Sequence, residues 1–474
     1  MMRKTTQALC VALIGVGVTA AGTAGADTGT VTGNPTDLAL TIYGNGLTLV
    51  KDQRQLDMPR GVSRISIAGV SPQMIADSLD LRYGQGLRIL TRTLRPPNLN
   101  TRSLLEAYAG KTVQLIRTHP QTGVETTLDA TLVSVHSGII ARIGGRLVSN
   151  PAGTWSFPDI PGHLRAKPAL ALALESAEPG PRALGLHYLT GGLSWHPAYT
   201  ATWDKSKKTL RIAAWASLKN SSGIDYETAR VQVVAGQVRR VTQAPRPSPR
   251  GAVRMMKTEA AMADSAPPRR EALAGYHLYT LPQPVNLRQG EAVQAVLLKP
   301  FSVPAKRELV SEGHPAVYGR VRGGTSQPTH PTIRLSFKNE TSANGQPLPT
   351  GTLRLYGADS RGESQFLGED RVGDVPVGGP ATLNAGRAFD VTVRRNQTDF
   401  KREDRSRFEA AFEIELRNGG AAMAAVTIIE TVPGDWQMID TDQPSRRENN
   451  QAVWRIEVPA KGRVLFKYRV RVRT

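Results

Sequence analysis

The sequence Val-Leu-Phe-Lys-Tyr-Arg-Val-Arg-Val-Arg-Thr, residues 464–474, indicates most directly which kind of fold this chain adopts. One set of alternate positions is apolar and comprises Val464, Phe466, Tyr468, Val470 and Val472. The other set is mostly basic and comprises Leu465, Lys467, Arg469, Arg471 and Arg473. Because successive side chains of a β-strand point to opposite faces, this alternation predicts a strand with one face on a core and the other in water. The basic side chains of Lys467, Arg469, Arg471 and Arg473 are also candidate contacts for a polyanion.

Similar patterns recur along the chain. Apolar runs at 38–43 and 47–50 flank Gly44-Asn45-Gly46, which predicts a hairpin because Gly and Asn tolerate the positive φ that tight turns need. A second hairpin is predicted at Met58-Pro59-Arg60-Gly61, where Pro suits the first central position of a turn. Further short strands follow at intervals of about 8–15 residues. We therefore predict an all-β fold of multi-domain β-sandwiches with a small inserted SH3- or OB-like barrel and a disordered linker.

Composition divides the chain into segments. A short helix is predicted at 101–108, with Asn100 or Thr101 as its cap and Gly110 at its end. The closely turned strands that follow it suggest the small barrel. Residues 242–274 contain five prolines and no apolar periodicity, a composition typical of disorder. The predicted segments are a signal peptide 1–26, an N-terminal β-region 27–100, a small β-barrel-like module 101–167, a β-sandwich region 168–241, a disordered linker 242–275 and a C-terminal β-sandwich domain 276–474.

The first residues indicate export. A basic start, Met-Met-Arg-Lys, precedes an apolar run from Ala8 to Ala21, and Ala24-Gly25-Ala26 matches the small-residue site of a cleavable signal peptide. We predict cleavage after Ala26 and a periplasmic location, with outer-membrane association or secretion as alternatives. The apolar run is shorter than the roughly 20 residues of a membrane span, and no transmembrane segment is predicted in the mature chain. Cys10, the single cysteine, lies inside this segment, so the mature chain would contain no thiol.

The charge balance favours acidic partners. The chain has 60 Lys and Arg residues against 40 Asp and Glu, a formal charge of +20. Nucleic acid is not an expected partner for an exported protein, so the predicted partner is an unknown envelope protein or an acidic glycan. Alternatively, the basic residues form only a generally basic solvated surface, since they are spread along the chain rather than gathered in long runs.

No catalytic motif is recognisable in the sequence. The eight histidines lack metal-ligand spacing, and G-x-S-x-G, S-x-x-K, G-x-G-x-x-G and Walker A sequences are missing. The acidic pairs Glu369-Asp370, Glu403-Asp404 and Asp440/Asp442 have the residue type that glycoside hydrolysis uses, but a solvated surface is the simpler interpretation. We predict no catalytic residue, no metal ligand and no cofactor.

Two stretches of the chain, 188–199 and 218–236, carry a resemblance to a bacterial family. Together with the pattern around Trp454, they resemble the domain-of-unknown-function family 4139, which is related to the mucoidy-inhibitor-A-like envelope proteins, although the coiled-coil part of those proteins is missing here. The resemblance extends from about residue 40 to 473 and implies an architecture and an envelope location, but no chemistry. The motif residues are Trp195, Tyr199, Asn220, Gly223, Asp225, Gly236 and Trp454. We predict that they are structural, with a ligand-facing role as the alternative.

Three functions are compatible with these observations. The leading hypothesis is an exported, non-catalytic envelope protein that acts as a structural or protein–protein interaction module. The second is a basic β-surface that binds acidic envelope polysaccharide, and the third is a glycan-processing enzyme. A groove with converging carboxylates would favour the enzyme, whereas a contiguous basic surface would favour the glycan binder.

Overall fold

The computed structural model describes residues 27–31, 35–236, 272–273, 275–318, 326–341 and 345–473. The predicted signal peptide lies outside the described residues, and so does the predicted linker 242–275 apart from 272–273 and 275. Strands dominate the described part of the chain, in which the single α-helix is α1, Thr101–Ala107. The predicted all-β class is therefore confirmed. None of the described helices has the length and apolar composition that crossing a bilayer requires.

Among the described residues, thirty-one strands and two 3₁₀ turns make up the rest of the regular structure. Up to residue 190 the strands are β1 Asp27–Val31, β2 Asp37–Tyr43, β3 Thr48–Met58, β4 Gly61–Ala68, β5 Asp80–Tyr83, β6 Leu87–Arg95, β7 Thr112–Thr118, β8 Glu125–Ser134, β9 Ile140–Ile143, β10 Arg146–Ser149, β11 Thr154–Ser156, β12 Ala169–Ser176 and β13 Gly180–Thr190. The remaining strands are β14 Leu193–Asp204, β15 Thr209–Asn220, β16 Tyr226–Ala235, β17 Ala272–Leu273, β18 Tyr276–Thr280, β19 Val285–Leu287, β20 Ala292–Gly313, β21 Thr332–Lys338, β22 Gly351–Ala358, β23 Ser364–Val372, β24 Pro380–Arg387, β25 Val391–Arg402, β26 Arg407–Asn418, β27 Ala424–Thr431, β28 Asp435–Thr441, β29 Ser445–Glu448, β30 Gln451–Val458 and β31 Arg463–Arg473. The 3₁₀ turns are Ala76–Ser78 and Pro315–Val317.

The described residues form two compact units. Unit 1 comprises those of 1–37 and 52–187, and unit 2 those of 38–51 and 188–474. In unit 1, β4, β12 and β6 are antiparallel neighbours, and β1 joins β4 in parallel. The predicted turn after Met58 is present, with Gly61 at φ +95°. It joins strands of different sheets, so the turn is confirmed but the predicted hairpin is wrong.

The module after α1 is an open five-stranded sheet in the order β10-β9-β8-β7-β11, not a closed barrel. Its edge strands β10 and β11 have only four and three residues, too few to curl round and pair. The helix covers the core instead, because Leu105 and Tyr108 pack in one apolar cluster with Leu115 and Leu132. The predicted cap is present, since the Asn100 side chain accepts a hydrogen bond from the Ser103 backbone N–H at 2.9 Å.

In unit 2, β20 is the longest strand of the described chain, with 22 residues. Its first part pairs with β15, its middle with β21 and its end with β27. A register irregularity opposite Ile212–Ala214 coincides with Pro300, which has no N–H to donate to the ladder. The strand order of the large sheet is β23-β22-β14-β15-β20-β27-β30-β29.

A second sheet of unit 2, in the order β25-β26-β31-β28, forms the C-terminal sandwich core with β27 and β30. The ring of Trp454 on β30 lies 4.8 Å from that of Tyr468 and 5.5 Å from that of Phe466, both on β31. The apolar row of β31 is buried at Phe466, Tyr468, Val470 and Val472. The alternation that predicted this strand is therefore confirmed.

Candidate functional site

The aromatic motif residues of β14 hold neighbouring backbone segments in place. The Trp195 indole N–H donates to the Val234 carbonyl at 3.2 Å, and the Tyr199 hydroxyl donates to the Pro349 carbonyl at 2.6 Å. Burial raises the pKa of the Tyr199 hydroxyl well above its usual range, so it remains a neutral donor. Both side chains are buried and their polar atoms are already used within the protein.

The motif turn after β15 depends on the fully buried Asn220. Its side-chain oxygen accepts from the backbone N–H of Ser222 at 2.9 Å, and its amide donates to the carbonyls of Ile224 and Leu287 at 2.7 and 2.8 Å. Gln289 extends the same contact: its side-chain oxygen accepts from the Gly223 N–H, while its own N–H donates to the Asp225 carboxylate.

Two further motif residues, Gly236 and Trp454, also have structural surroundings. A Cβ at Gly236, whose φ is +108°, would lie 3.0 Å from the Tyr276 ring. Trp454 is completely buried, and its indole N–H donates to the Thr441 hydroxyl at 3.2 Å. These contacts support the structural interpretation of the motif.

The sequence interpretation missed that the Asn220 arrangement recurs. Asn418, at the end of β26, accepts from the Gly420 N–H and donates to the Ala422 and Val458 carbonyls. Asn339, just after β21, donates to the Gln346 carbonyl at 2.8 Å. Each asparagine follows an apolar and a basic residue, in Leu-Lys-Asn, Leu-Arg-Asn and Phe-Lys-Asn. That spacing was visible in the sequence, and in all three cases it marks a strand end locked by a buried amide.

The basic row predicted on β31 lies beside an acidic row on β26 and β25. Lys467 Nζ is 3.6 Å from Glu413 Oε2, and Arg471 Nη2 is 2.6 Å from Glu409 Oε1. Arg469 Nη1 lies 2.8 Å from Asp399 Oδ2. Arg473, at the strand end, makes no ion pair within the described part of the chain. Three of the four predicted polyanion contacts are therefore already paired with carboxylates.

A groove of about 950 Å³ elsewhere in unit 2 is lined by more basic than acidic side chains. Seven basic side chains line it: Lys205, Lys207, Lys208, Lys306, Arg307, Lys338 and Arg455. The acidic residues that line it are Glu308 and Glu340. Trp203 and Phe337 contribute apolar surface. A second cavity of about 640 Å³ shares Trp203, Lys205 and Arg307 with this groove and extends it.

Most of these cations have no carboxylate partner nearby. Lys207 pairs with Asp204 at 3.6 Å and Lys306 with Glu308 at 2.6 Å. The others make no ion pair within 4.0 Å to any residue that the structure describes; they are Lys205, Lys208, Arg307, Lys338 and Arg455. The groove therefore presents an excess of positive charge that the protein itself does not neutralise.

Local backbone contacts position the basic loop between β14 and β15. The Asp204 carboxylate accepts from the Ser206 N–H at 2.9 Å and from the Lys207 N–H at 3.0 Å, an arrangement that closes the turn. The hydrogen bond from the Ser206 hydroxyl lowers the pKa of Asp204 most, so this acceptor stays ionised near neutral pH. The Lys208 carbonyl accepts from the Ala305 N–H at 2.9 Å, which joins the loop to β20.

Sequence reasoning missed this groove, although Asp-Lys-Ser-Lys-Lys at 204–208 is a compact basic loop between two alternating strands. The other cations come from β20, β21 and β30. Their convergence depends on strand order, because β20 lies between β15 and β27 and also pairs with β21. A single sequence does not reveal that order.

The acidic pairs considered for hydrolysis are held by neighbours. Glu369 pairs with Arg354 at 3.2 Å, and Asp370 accepts from the Asn384 N–H at 2.7 Å. Asp404 closes a turn by accepting from the Arg407 N–H, and Asp442 accepts from the Lys467 N–H. These four carboxylates therefore have structural partners.

No curated protein matches the chain. Residues 184–474, which contain the motif strands, the basic groove and the whole C-terminal sandwich, match a family described as "Domain of unknown function (DUF4139)". The match covers more than half of the chain, and it confirms the resemblance to the domain-of-unknown-function family 4139 over these residues. The chain belongs to the DUF4139 family.

Proposed function

We propose that this protein is an exported, non-catalytic binding module of the bacterial cell envelope, and that its basic groove binds an acidic polysaccharide. The observation that carries the proposal is the set of unpaired cations around Trp203 in a groove with two acidic residues. A concave surface lined by one sign of charge concentrates its field and attracts a ligand of opposite charge. The groove thus has the charge that an acidic polymer requires.

Shape and composition favour a sugar polymer over a membrane surface. The groove continues into a second cavity through Trp203 and Arg307, so an extended chain has a path to follow. Trp203 is half-buried, and an indole provides a flat apolar surface with a polar edge, suited to the mixed faces of a sugar ring. A lipid headgroup layer is flat and would contact the rim rather than the floor of a groove.

The export and the lack of catalysis in this proposal rest on the sequence. The N-terminal pattern supports export. The missing nucleophile and metal motifs support a binding role over an enzymatic one. The glycan-processing alternative would use carboxylates such as Glu369 and Asp404, which are engaged in ion pairs and turns here. An unidentified envelope protein remains the competing occupant of the groove.

Calorimetric titration with polygalacturonate, a linear uronic-acid polymer, tests the proposal. Lys205→Gln, Lys208→Gln and Lys338→Gln together should weaken binding about 10- to 30-fold, because three unpaired cations are lost. A control variant, Lys467→Gln, Arg471→Gln and Arg473→Gln, removes the same formal charge from β31 and should change affinity by about twofold at most. The binding should also weaken steeply with added salt.

Other ligands separate the competing explanations. Dextran, a neutral polysaccharide, should not bind, and vesicles containing phosphatidylglycerol should bind more weakly than polygalacturonate at equal charge concentration. Equal losses in the two triple variants would show that net charge, not the groove, attracts the polymer. Preferential binding of the vesicles would replace the glycan by a membrane surface, and either result would overturn the proposal.

A further inference from the structure

A separate cavity of about 520 Å³ lies at the C-terminal end of β20, within unit 2. Its volume is in the range of small-molecule sites. Val317, Val393 and Phe412 provide apolar wall, and Arg395 is among its polar lining residues. None of these residues lines the basic groove, so a ligand here would be a second one.

Two hydrogen bonds fix the position of the Arg395 side chain. Its Nε donates to Glu430 Oε1 at 2.6 Å, and its Nη2 donates to the Ser311 carbonyl at 3.0 Å. The Glu430 side chain is only 1% exposed. Glycine at position 313 makes space for this side chain, because a Cβ there would lie 1.8 Å from a Glu430 carboxylate oxygen. A guanidinium fixed in this way loses little further freedom when it binds a ligand.

The buried carboxylate is itself supported. The Tyr318 hydroxyl lies 3.4 Å from Glu430 Oε2 and 2.7 Å from the Tyr468 hydroxyl. Burial raises the pKa of Glu430, while the attraction of Arg395 acts in the opposite direction. Glu430 stands at the inward parity of Val426 and Ile428 on β27, where an apolar residue is expected. A carboxylate at such a position requires a cation, and the cation it holds is the one that lines the cavity.

The free edge of Arg395 is the part that a ligand would meet. Nε and one Nη2 hydrogen are used, whereas Nη1 has no hydrogen-bond partner among the described residues. Arg387, which also lines the cavity, makes no ion pair with any described residue. The lining carboxylate Glu312 is already paired with Arg334 at 2.6 Å. The cavity is therefore set up for an anion rather than a cation.

We propose that this cavity binds a small carboxylic acid with an apolar tail. The carboxylate accepts hydrogen bonds from the Nη1–Nη2 edge of Arg395, a geometry that a guanidinium matches with two parallel bonds. The tail packs on Val317, Val393 and Phe412. A phosphate dianion fits less well, because one guanidinium edge is only a small part of the donors it needs and the apolar wall would remain uncovered.

Calorimetry with octanoate, its neutral analogue octanamide and inorganic phosphate tests this inference on the purified protein. Octanoate should bind at least about tenfold tighter than octanamide, because only the acid can use the charged edge of Arg395. Phosphate should bind more weakly than octanoate. An octanoate affinity no better than that of octanamide, or a preference for phosphate, would overturn the inference.

Variants locate the site. Arg395→Gln alone would leave Glu430 buried without its cation, so the matched change is Arg395→Gln with Glu430→Gln, which removes both charges together. This pair should bring the octanoate-to-octanamide ratio to about one. Val317→Phe fills the cavity and should weaken both ligands about tenfold or more, and it keeps the test decisive if the double variant fails to fold. Arg361→Gln, on the exposed β22–β23 turn, should leave the affinities for octanoate and octanamide unchanged. A tenfold loss of octanoate affinity in this variant would place the ligand elsewhere.

Discussion

The basic face of β31 and the basic groove beside Trp203 carry similar side chains with opposite electrostatic outcomes. On β31, Lys467 lies opposite Glu413 and Arg471 opposite Glu409 across the antiparallel pair with β26. In the groove, Lys205 and Lys338 have no carboxylate partner within the part of the chain that the structure describes. Cross-strand register therefore decides which cations are paired with carboxylates across a sheet and which stay unpaired.

Replacing a tryptophan in each region should separate stability from binding. Trp454 is fully buried against Phe466 and Tyr468, so Trp454→Ala should lower the free energy of unfolding by about 3–5 kcal/mol. Trp203 is half-buried, so Trp203→Ala should cost about 1 kcal/mol or less but weaken polygalacturonate binding severalfold. Urea denaturation and calorimetry measure the two effects, and similar losses of stability would contradict the distinction.

The same comparison shows how far the sequence predicts the fold. Strict alternation identified β31, and Gly44-Asn45-Gly46 identified the first turn, because both signals are local. The full length of β20 was not predicted, because Pro300 and Pro304 lie inside this strand and proline usually marks the end of one. The module was predicted to close into a barrel because its strands are closely turned. It stays open because its edge strands are short, and composition does not define strand lengths.

The candidate sites were less predictable than the strands. Glu430 was detectable as a carboxylate on the apolar parity of β27, but its partner Arg395 is 35 residues away in sequence. The groove gathers its cations from three strands and from the loop between β14 and β15. Both sites arise from sheet order, which no single segment of this chain encodes.

Neutralising the acidic row should convert the β31 face into a second polyanion surface. Glu409→Gln with Glu413→Gln leaves Lys467 without its carboxylate and Arg471 with only Glu403, which lies 3.8 Å from its Nε, so polygalacturonate should bind at two places per chain instead of one. The loss of these surface pairs should cost about 1 kcal/mol each or less. Glu363→Gln with Glu448→Gln is the charge-matched control. An unchanged stoichiometry in the first variant would show that pairing does not suppress binding by this face.

The aspartate that closes the basic loop offers a smaller, two-way test. Asp204→Ala removes the acceptor for the Ser206 and Lys207 N–H groups, so the loop loosens and polygalacturonate should bind about threefold more weakly. Asp204→Asn keeps an oxygen acceptor and removes a negative charge, so binding should strengthen by about twofold. Calorimetry at fixed salt measures both. If both variants change the polygalacturonate affinity in the same direction, then charge alone, or loop geometry alone, determines binding in the groove.

The smallest effect concerns Asp399, whose pKa is lowered chiefly by the hydrogen bond from Arg469. Because its pKa in the folded state lies below the ordinary value of 3.8, the carboxylate stabilises the fold above pH 3.8, and this contribution is lost as pH falls through the lowered value. Asp399→Asn should therefore lower the unfolding temperature slightly at pH 7 and not at all at a pH below the folded-state pKa. In an Arg469→Gln background the same substitution should have little effect at either pH. A pH-independent loss in both backgrounds would show that Asp399 acts through packing, and that the carboxylates beside β31 do not hold its cations by charge.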